Sequence, residues 1–452
     1  MPATNNPGTL RIGAGAGYAG DRIEPAIHVA EHGAVDFLVF ECLAERTIAL
    51  AQLAKRRDPT RGYGQLLHER MEAVLPHLDR SGFTVVSNLG AANPLAALTE
   101  TREVASSLGL VDLPMAAITG DDVLEQMLDG DARVWETGAP VRKLGDRLVS
   151  ANAYLGVEAV LPALEAGARI VLGGRLADPS LFLAPMVHHF GWRLDDWQRL
   201  GAGTAVAHLL ECAAQVSGGY FADPGRKEVA DLVDVGFPIA EVRRDGTAVI
   251  TKVPHTGGIV SARTCSEQLL YEVGDPSAYL TPDVTADLSR VRFEEVGPDR
   301  VEVRGGDGRA RPEQLKVTLG VRHGFVGEGE ISYAGPGAAG RGQLAAEIVR
   351  ERLRRRGLSG SDLRIELIGR DATLQGWVAP PEVEPSDVRL RVAGRTDDRR
   401  EAERIGEEVE ALYLNGPAGG AGATSRHRPV IAAYSTLIDR ASVDLRIHLE
   451  GI

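Results

Sequence analysis

The sequence predicts an α/β protein: a mostly parallel, doubly wound sheet in a large N-terminal domain, residues 1–284, followed by a smaller α+β domain, residues 285–452. Three observations predict it. From Leu10 to about Gln215, short apolar runs alternate with helix-periodic segments, the pattern of parallel strands joined by crossover helices. Beyond Gln215 the pattern changes to glycine and proline loops with closely spaced strands. The length, 452 residues, allows two large units with substantial cores.

Taken in order, strands are expected at Leu10–Gly13, Val35–Phe40, Thr84–Ser87, Met115–Thr119, Leu148–Tyr154 and Arg169–Leu172. Helices between them are expected at Pro25–His32, Leu43–Arg56, Leu66–Asp79, Pro94–Leu108 and Val157–Glu165, several entered through proline or an acid, as helix starts prefer. An apolar helix, Ala205–Val216, leads into the loop Ser217–Pro224. A strand pair within Gly236–Pro254 and a short helix with a turn over Glu267–Leu280 follow. The second domain should carry strands Arg292–Glu295, Arg300–Arg304, Leu315–Val321 and Gly329–Ala334, helix Gln343–Arg356 and strand Leu363–Ile368. A second round gives strand Val388–Val392, helix Arg399–Leu412 and strands Val430–Tyr434 and Val443–His448. Strands with helices on one face predict a ferredoxin-like layout.

Charge excludes some functions. Fifty basic against 63 acidic side chains leave −13, so general attraction to nucleic acid or an anionic membrane is not expected. The longest uncharged stretch, Ser81–Thr99, is broken by Asn88, Asn93 and Pro94 and does not read as a membrane helix. Met1–Leu10 lacks the basic and apolar parts of a secretory signal, which predicts a cytoplasmic location. Cys42, Cys212 and Cys265 are odd in number and widely spaced, so neither a disulfide framework nor a CxxC metal site is expected.

In open α/β sheets ligands bind beyond the carboxyl ends of the strands. Those positions are polar here. Glu41 follows the second strand, with Glu45 and Arg46 one turn later; Asn88 and Asn93 follow the third; Asp121 and Asp122 the fourth. The fifth strand carries Asn152 and Tyr154. The sixth runs into Gly173, Gly174 and Arg175, then Asp178 and Ser180. Helix capping and turn closure are the alternative use of such residues. Two glycines beside a planar guanidinium make Arg175 a candidate carboxylate or phosphate clamp, oriented by Asp178. Glu211 and Gln215 lie one turn apart among apolar neighbours, where a buried carboxyl has a raised pKa suited to acid–base work; pairing with an arginine such as Arg175 is the alternative. Gly15, Gly17 and Gly20 form a GxGxxG loop after a strand, but the helix opens late for a dinucleotide site, so a cradle for another anion or a close turn is the better reading. His28 and His32 match HxxEH without an obvious third ligand, and no metal is expected.

The blocks GAGAGYAGDRIEPA, FLVFECLAERTIALAQL, NLGAANP, GGRLADPSLFLAPMVHHFGW, HLLECAAQVSGGYFADPG, GFPIAEV, EQLLYEVGDPSAYLTPDV and NGPAGGAG occur in one order along the chain. Together they resemble the AtuA family, named for acyclic terpene utilisation. The resemblance implies a large α/β region with a ferredoxin-like C-terminal region, and a link to branched acids degraded as coenzyme A thioesters. One departure stands out: His255 occupies a position where glycine is expected in relatives.

The expectation is an enzyme acting on a branched or polyketide-like carboxylic acid or its acyl thioester, by hydratase, dehydratase or other lyase-type proton transfer. Glu41 and Glu211 are the acid–base candidates, Asn88 and Asn93 the carbonyl or enolate donors, and Arg175 the clamp. Asp178, Gln215, Arg46 and Tyr154 complete the substrate contacts. No cofactor is expected beyond coenzyme A as part of the substrate, and a homo-oligomer is the default. The alternatives are a non-catalytic metabolite-binding or assembly subunit and, behind it, an NAD-linked dehydrogenase.

Overall fold

A computed structural model of the chain describes residues 8–358, 363–370, 372–373 and 383–451. The fold is mixed α/β, with one large sheet that is parallel at its centre and additional antiparallel sheets. The chain divides into two compact units. One runs up to Gly320 and resumes at Ala433; the other is Val321–Ala432.

The first unit opens with β1 (Thr9–Ala16), α1 (Glu24–His32), β2 (Phe37–Phe40), α2 (Glu45–Arg57), α3 (Leu67–Ser81), β3 (Thr84–Ser87), α4 (Pro94–Ser107), β4 (Met115–Thr119) and α5 (Leu124–Asp129). There follow β5 (Leu148–Ala153), α6 (Val157–Glu165), β6 (Ile170–Gly173), α7 (Asp178–Phe190) and α8 (Trp197–Glu211). β1, β2, β3, β6 and β4 lie side by side in that order, all parallel. β2 and β6 are buried at every residue, as parallel strands covered on both faces must be. The expected fifth strand does not join this sheet. β5 pairs instead with β14 (Gln314–Ala334), because β6 takes the place between β3 and β4. β1 is also longer than expected, running on through Gly15 to Ala16; a Cβ at Gly13 or Gly15 would collide with Val29 or Phe40.

Between α8 and β14 come β7 (Pro238–Arg243), β8 (Ala248–Lys252), α9 (Ala262–Leu270), β9 (Tyr279–Leu280), β10 (Thr285–Asp287), β11 (Arg292–Gly297), β12 (Arg300–Arg304) and β13 (Asp307–Arg309). β7 adds antiparallel to β1, and β8, β12 and β11 extend that edge. The compact-unit boundary therefore falls at Gly320 and not near residue 285, since the strands expected to open a second domain hydrogen-bond to the first sheet.

Within Val321–Ala432, β14 is followed by α10 (Ala338–Arg355), β15 (Leu363–Ile368), β16 (Asp387–Thr396), α11 (Arg399–Glu410) and the start of β17 (Ala421–Asp439). The strand order is β15-β16-β14-β17. Ile331, Leu390, Val392, Val349, Leu353 and Ile405 supply its core. After β17, β18 (Arg446–Glu450) pairs antiparallel with β4 and closes the large sheet.

Two helical sets serve the parallel strands. α1, α3 and α4 pack in series, and so do α6, α7 and α8. β3 feeds α4 and its neighbour β6 feeds α7, so adjacent strands send their chains to different sets, the arrangement in which open α/β sheets hold ligands beyond the carboxyl ends of the strands.

Candidate functional site

The candidate site is built from the strand ends. Glu41 leaves β2 and is 7% exposed. Its Oε1 accepts the Leu43 amide at 2.8 Å and Asn88 Nδ2 at 3.0 Å, and Asn88 Oδ1 takes the Cys42 amide at 2.7 Å. Among the described residues nothing hydrogen-bonds to Oε2. Burial pushes the Glu41 carboxyl up to about 8; Asp178 adds to the rise, while Arg175 and the two donors oppose it. Asn88 is fully buried and its amide is engaged by Glu41 and Cys42, so it orients Glu41 instead of offering a donor to a ligand.

Arg175 ends β6 with a side chain only 1% exposed. Its guanidinium donates to the Leu43 and Leu176 carbonyls and pairs with Asp178, and it stacks 4.4 Å over the Tyr154 ring. Burial works against its charge, but Asp178, Tyr154, Glu41 and Glu45 outweigh that and hold its pKa above the ordinary value. The planar fork expected to clamp a ligand carboxylate is filled by protein acceptors. Asp178 itself keeps 39% of its side chain exposed, yet burial raises its carboxyl. Beneath it, Asp121 Oδ2 accepts Asn152 Nδ2 at 2.8 Å and the Arg175 amide at 3.0 Å. Gly174 is required there, because a Cβ would overlap the Asp121 carboxylate. Burial raises Asp121 to about 6.

Glu211 ends α8. His208, one turn earlier, meets its Oε1 through Nδ1 at 2.6 Å, and the two side chains are 1% and 9% exposed. The sequence alternative of an Arg175 partner is therefore replaced by a histidine. Glu211 Oε2 and His208 Nε2 are buried with no hydrogen-bond partner among the described residues. Burial raises Glu211 to about 7, with His208 opposing and Asp178 and Glu272 reinforcing. Tyr279 from β9 lies 5.2 Å from the His208 ring, and its hydroxyl is raised well above the ordinary value by burial and by Glu211 and Asp178. Asp178 acts electrostatically on both Glu41 and Glu211, raising each.

At the rim, Tyr154 donates its hydroxyl to Glu45 Oε1 at 2.6 Å, and Lys316 reaches the same oxygen at 3.2 Å. Burial opposes the Glu45 charge, but the Tyr154 hydrogen bond and Lys316 prevail and hold Glu45 near 2.

Other expected residues stand apart. Asn93 caps α4, and its Nδ2 holds the Pro59 and Arg61 carbonyls at 2.8 Å each. Arg46 is exposed on α2. Gln215 lines a surface pocket of about 260 Å³ with Tyr220, Phe221, Glu267, Leu270 and Tyr271. In the glycine loop, the Gly17 amide donates to Asp21 at 2.8 Å, and buried Arg70 holds the Gly15, Ala19 and Asp21 carbonyls. Gly17 packs against the Cys212 backbone with no room for a Cβ. That loop closes on its own carboxylate, and Gly20 adds only a contact beside Tyr18. No group of three or more His, Cys, Asp or Glu that could hold a metal occurs among the described residues, the HxxEH helix included. The three thiols are free, and burial pushes each of them up.

His208, Lys316, Gln268 and Tyr279 were not among the expected site residues. His208 had a local signal, since HLLE places it at i,i+3 from Glu211 on one helix face. Lys316 had none, lying 271 residues from the Glu45 it contacts.

A model of the family described as acyclic terpene utilisation family protein AtuA matches residues 10–449. No curated protein and no solved structure matches the chain. Since that one match takes in the strand-end site, both compact units and almost all of the sequence between, the chain belongs to the AtuA family of acyclic terpene utilisation proteins.

Proposed function

We propose that the protein is an enzyme that moves protons on a branched or polyketide-like carboxylic acid or its acyl thioester, adding or removing water or breaking a bond beside a carbonyl. The observation that carries the reading is the pair of buried carboxyls, Glu41 raised to about 8 and Glu211 to about 7, each with one oxygen fixed by protein donors and the other unbound among the described residues. Near neutral pH one is mostly protonated and the other shared between forms, the condition for paired acid and base. In the dehydration direction, the Glu211 carboxylate takes the proton from the carbon beside the carbonyl. Glu41 gives its Oε2 proton to the departing β-hydroxyl, which leaves as water; solvent exchange then resets both. Arg175 and Asn88 position these groups, and Lys316 is the rim cation an anionic portion of the substrate would meet. Coenzyme A enters as part of a thioester, and the chemistry needs no redox partner.

The test is solvent deuterium exchange at the carbon beside the carbonyl of branched acyl thioesters, followed by mass spectrometry. Exchange that falls about 100-fold or more in Glu211→Gln and Glu41→Gln supports the reading; no exchange with any thioester or free acid sinks it. A second reading, a metabolite-binding subunit without catalysis, is favoured by one observation, the filled fork of Arg175. Ligand binding that survives both substitutions without any turnover would select it.

We also propose that Val321–Ala432 is a ferredoxin-like unit. What supports this is its element order, strand-helix-strand-strand-helix-strand, with the spatial order β15-β16-β14-β17.

A further inference from the structure

We infer that His208 is a positioning residue that makes Glu211 the proton-accepting carboxyl of the site and fixes Oε2 as the atom that exchanges. The inference deepens the proton-transfer reading and rests on it for its catalytic meaning.

The two carboxyls are held differently. Glu41 Oε1 takes its hydrogen bonds from a backbone amide and from Asn88, neither of which titrates. Glu211 Oε1 is held by an imidazole nitrogen at 2.6 Å, a group that can change its own proton count with its partner. Tyr279 packs beside the imidazole, with ring centroids 5.2 Å apart, and α9 ties down the His208 backbone, since Gln268 Nε2 donates to its main-chain carbonyl at 2.9 Å. With Nδ1 committed to Oε1, the carboxyl atom left to take or lose a proton is Oε2, which is buried and has no partner among the described residues. An orphaned carboxylate oxygen in such a place costs free energy unless a ligand or a proton meets it. Other groups bear on the pair: Asp178 at the start of α7, Glu272 after α9, Tyr279 on β9 and Cys212 beside Glu211. The acids among them favour keeping a proton on the dyad. His208 opposes them, favouring the ionised carboxyl through its charge and its hydrogen bond. Removing it therefore shifts Glu211 toward the protonated form, whereas Glu41 keeps both its donors.

The experiment uses the full chain without substrate, labelled with carboxyl-¹³C glutamate. The Glu211 and Glu41 resonances are assigned by the Glu211→Gln and Glu41→Gln spectra and titrated. We expect Glu211 to titrate near neutral pH in the parent, to move up by about one pH unit or more in His208→Leu, and to return most of the way in His208→Asn, whose amide can replace the Nδ1 donor. The Glu41 midpoint should stay within about 0.3 unit throughout. An unmoved Glu211 in folded His208→Leu overturns the inference, as does Glu211 titrating in the ordinary carboxylate range. Should His208→Leu fail to fold, ¹⁵N-imidazole spectra of the parent decide: a proton on Nδ1 hydrogen-bonded to the carboxylate supports the assignment, and a bare Nδ1 with the proton on Nε2 defeats it. Neither readout needs turnover, so a protein that shows the dyad but exchanges no thioester proton would defeat the function and leave this inference standing.

Discussion

Glu41 and Glu328 expose nearly equal fractions of their surface, 7% and 5%, yet their carboxyls are driven in opposite directions, to about 8 and about 2. Glu41 lies deeper in the protein, so desolvation leads its rise, and what reaches each carboxyl supplies the rest of the difference. Glu328, on β14, accepts Arg391 Nε at 2.7 Å and two nitrogens of Arg426 at 2.8 and 3.2 Å, and Arg391 also bridges to Glu366 on β15. Glu41 accepts only neutral donors, while the nearby Arg175 is occupied with Asp178. Burial alone does not mark a working carboxyl. A buried acid given its own arginines is a strut, and one left with neutral donors beside a second acid keeps a transferable proton.

The largest expected effect comes from removing the cation that the acids around the site share. Arg175→Leu leaves the Leu43 carbonyl unpaired and Asp178 facing Glu41 without compensation, and should cost about 3–5 kcal/mol in denaturant unfolding at pH 7. A loss under about 1 kcal/mol would mean the site tolerates its acids unaided and the contrast with Glu328 is mistaken.

Glu41→Gln sharpens the comparison through its sign. A carboxyl raised to about 8 in the folded chain binds more protons than the unfolded one between its ordinary value, near 4.5, and 8, so it lowers stability as pH rises through that window. The amide keeps an acceptor for Leu43 and Asn88 but cannot ionise. The variant should match the parent near pH 4.5 and exceed it at pH 7 by an amount on the order of 3 kcal/mol. Urea midpoints across pH 4.5–8 check this, and parallel curves would refute it. Glu328→Gln should behave oppositely. Its carboxyl, depressed to about 2, stabilises above the ordinary value and loses that contribution as pH falls toward 2. The variant should be weaker by about 2 kcal/mol at pH 7 and converge on the parent in acid.

The same contrast explains what the sequence could show. The parallel core was legible because its strands are short apolar runs set between periodic helices, and Glu41, Asn88 and Arg175 were legible because each follows such a strand. What was not legible depends on pairing at a distance. Nothing in LVSANA says that β5 leaves the sheet, nor in Arg292–Gly297 that β11 joins it through β12. Polar residue type at a strand end likewise does not say whether a side chain faces a ligand. Asn93 spends its amide on a loop, and the glycine loop spends an amide on Asp21. Those outcomes are fixed by close partners that local sequence does not encode.

The smallest expected effect concerns His255, the residue found where the family resemblance leads one to expect glycine. It is exposed, with φ at +68°, the left-handed conformation that glycine adopts without a Cβ penalty. The turn is held from outside: Lys252 Nζ donates to the Thr256 carbonyl at 2.6 Å and pairs with Asp299 at 3.2 Å, and a Cβ at Gly257 would strike the Asp231 carbonyl. His255→Gly relieves about 1–2 kcal/mol of left-handed strain and returns about 0.4–1 kcal/mol as unfolded-chain entropy, for a net gain of about 0.5–1 kcal/mol. His255→Ala should gain nothing, because it keeps the Cβ. Should both variants unfold like the parent while the range of thioesters that exchange deuterium changes, the imidazole serves substrate choice; a gain confined to glycine with exchange unaltered makes it a strained turn residue and leaves Glu41 and Glu211 to carry the chemistry.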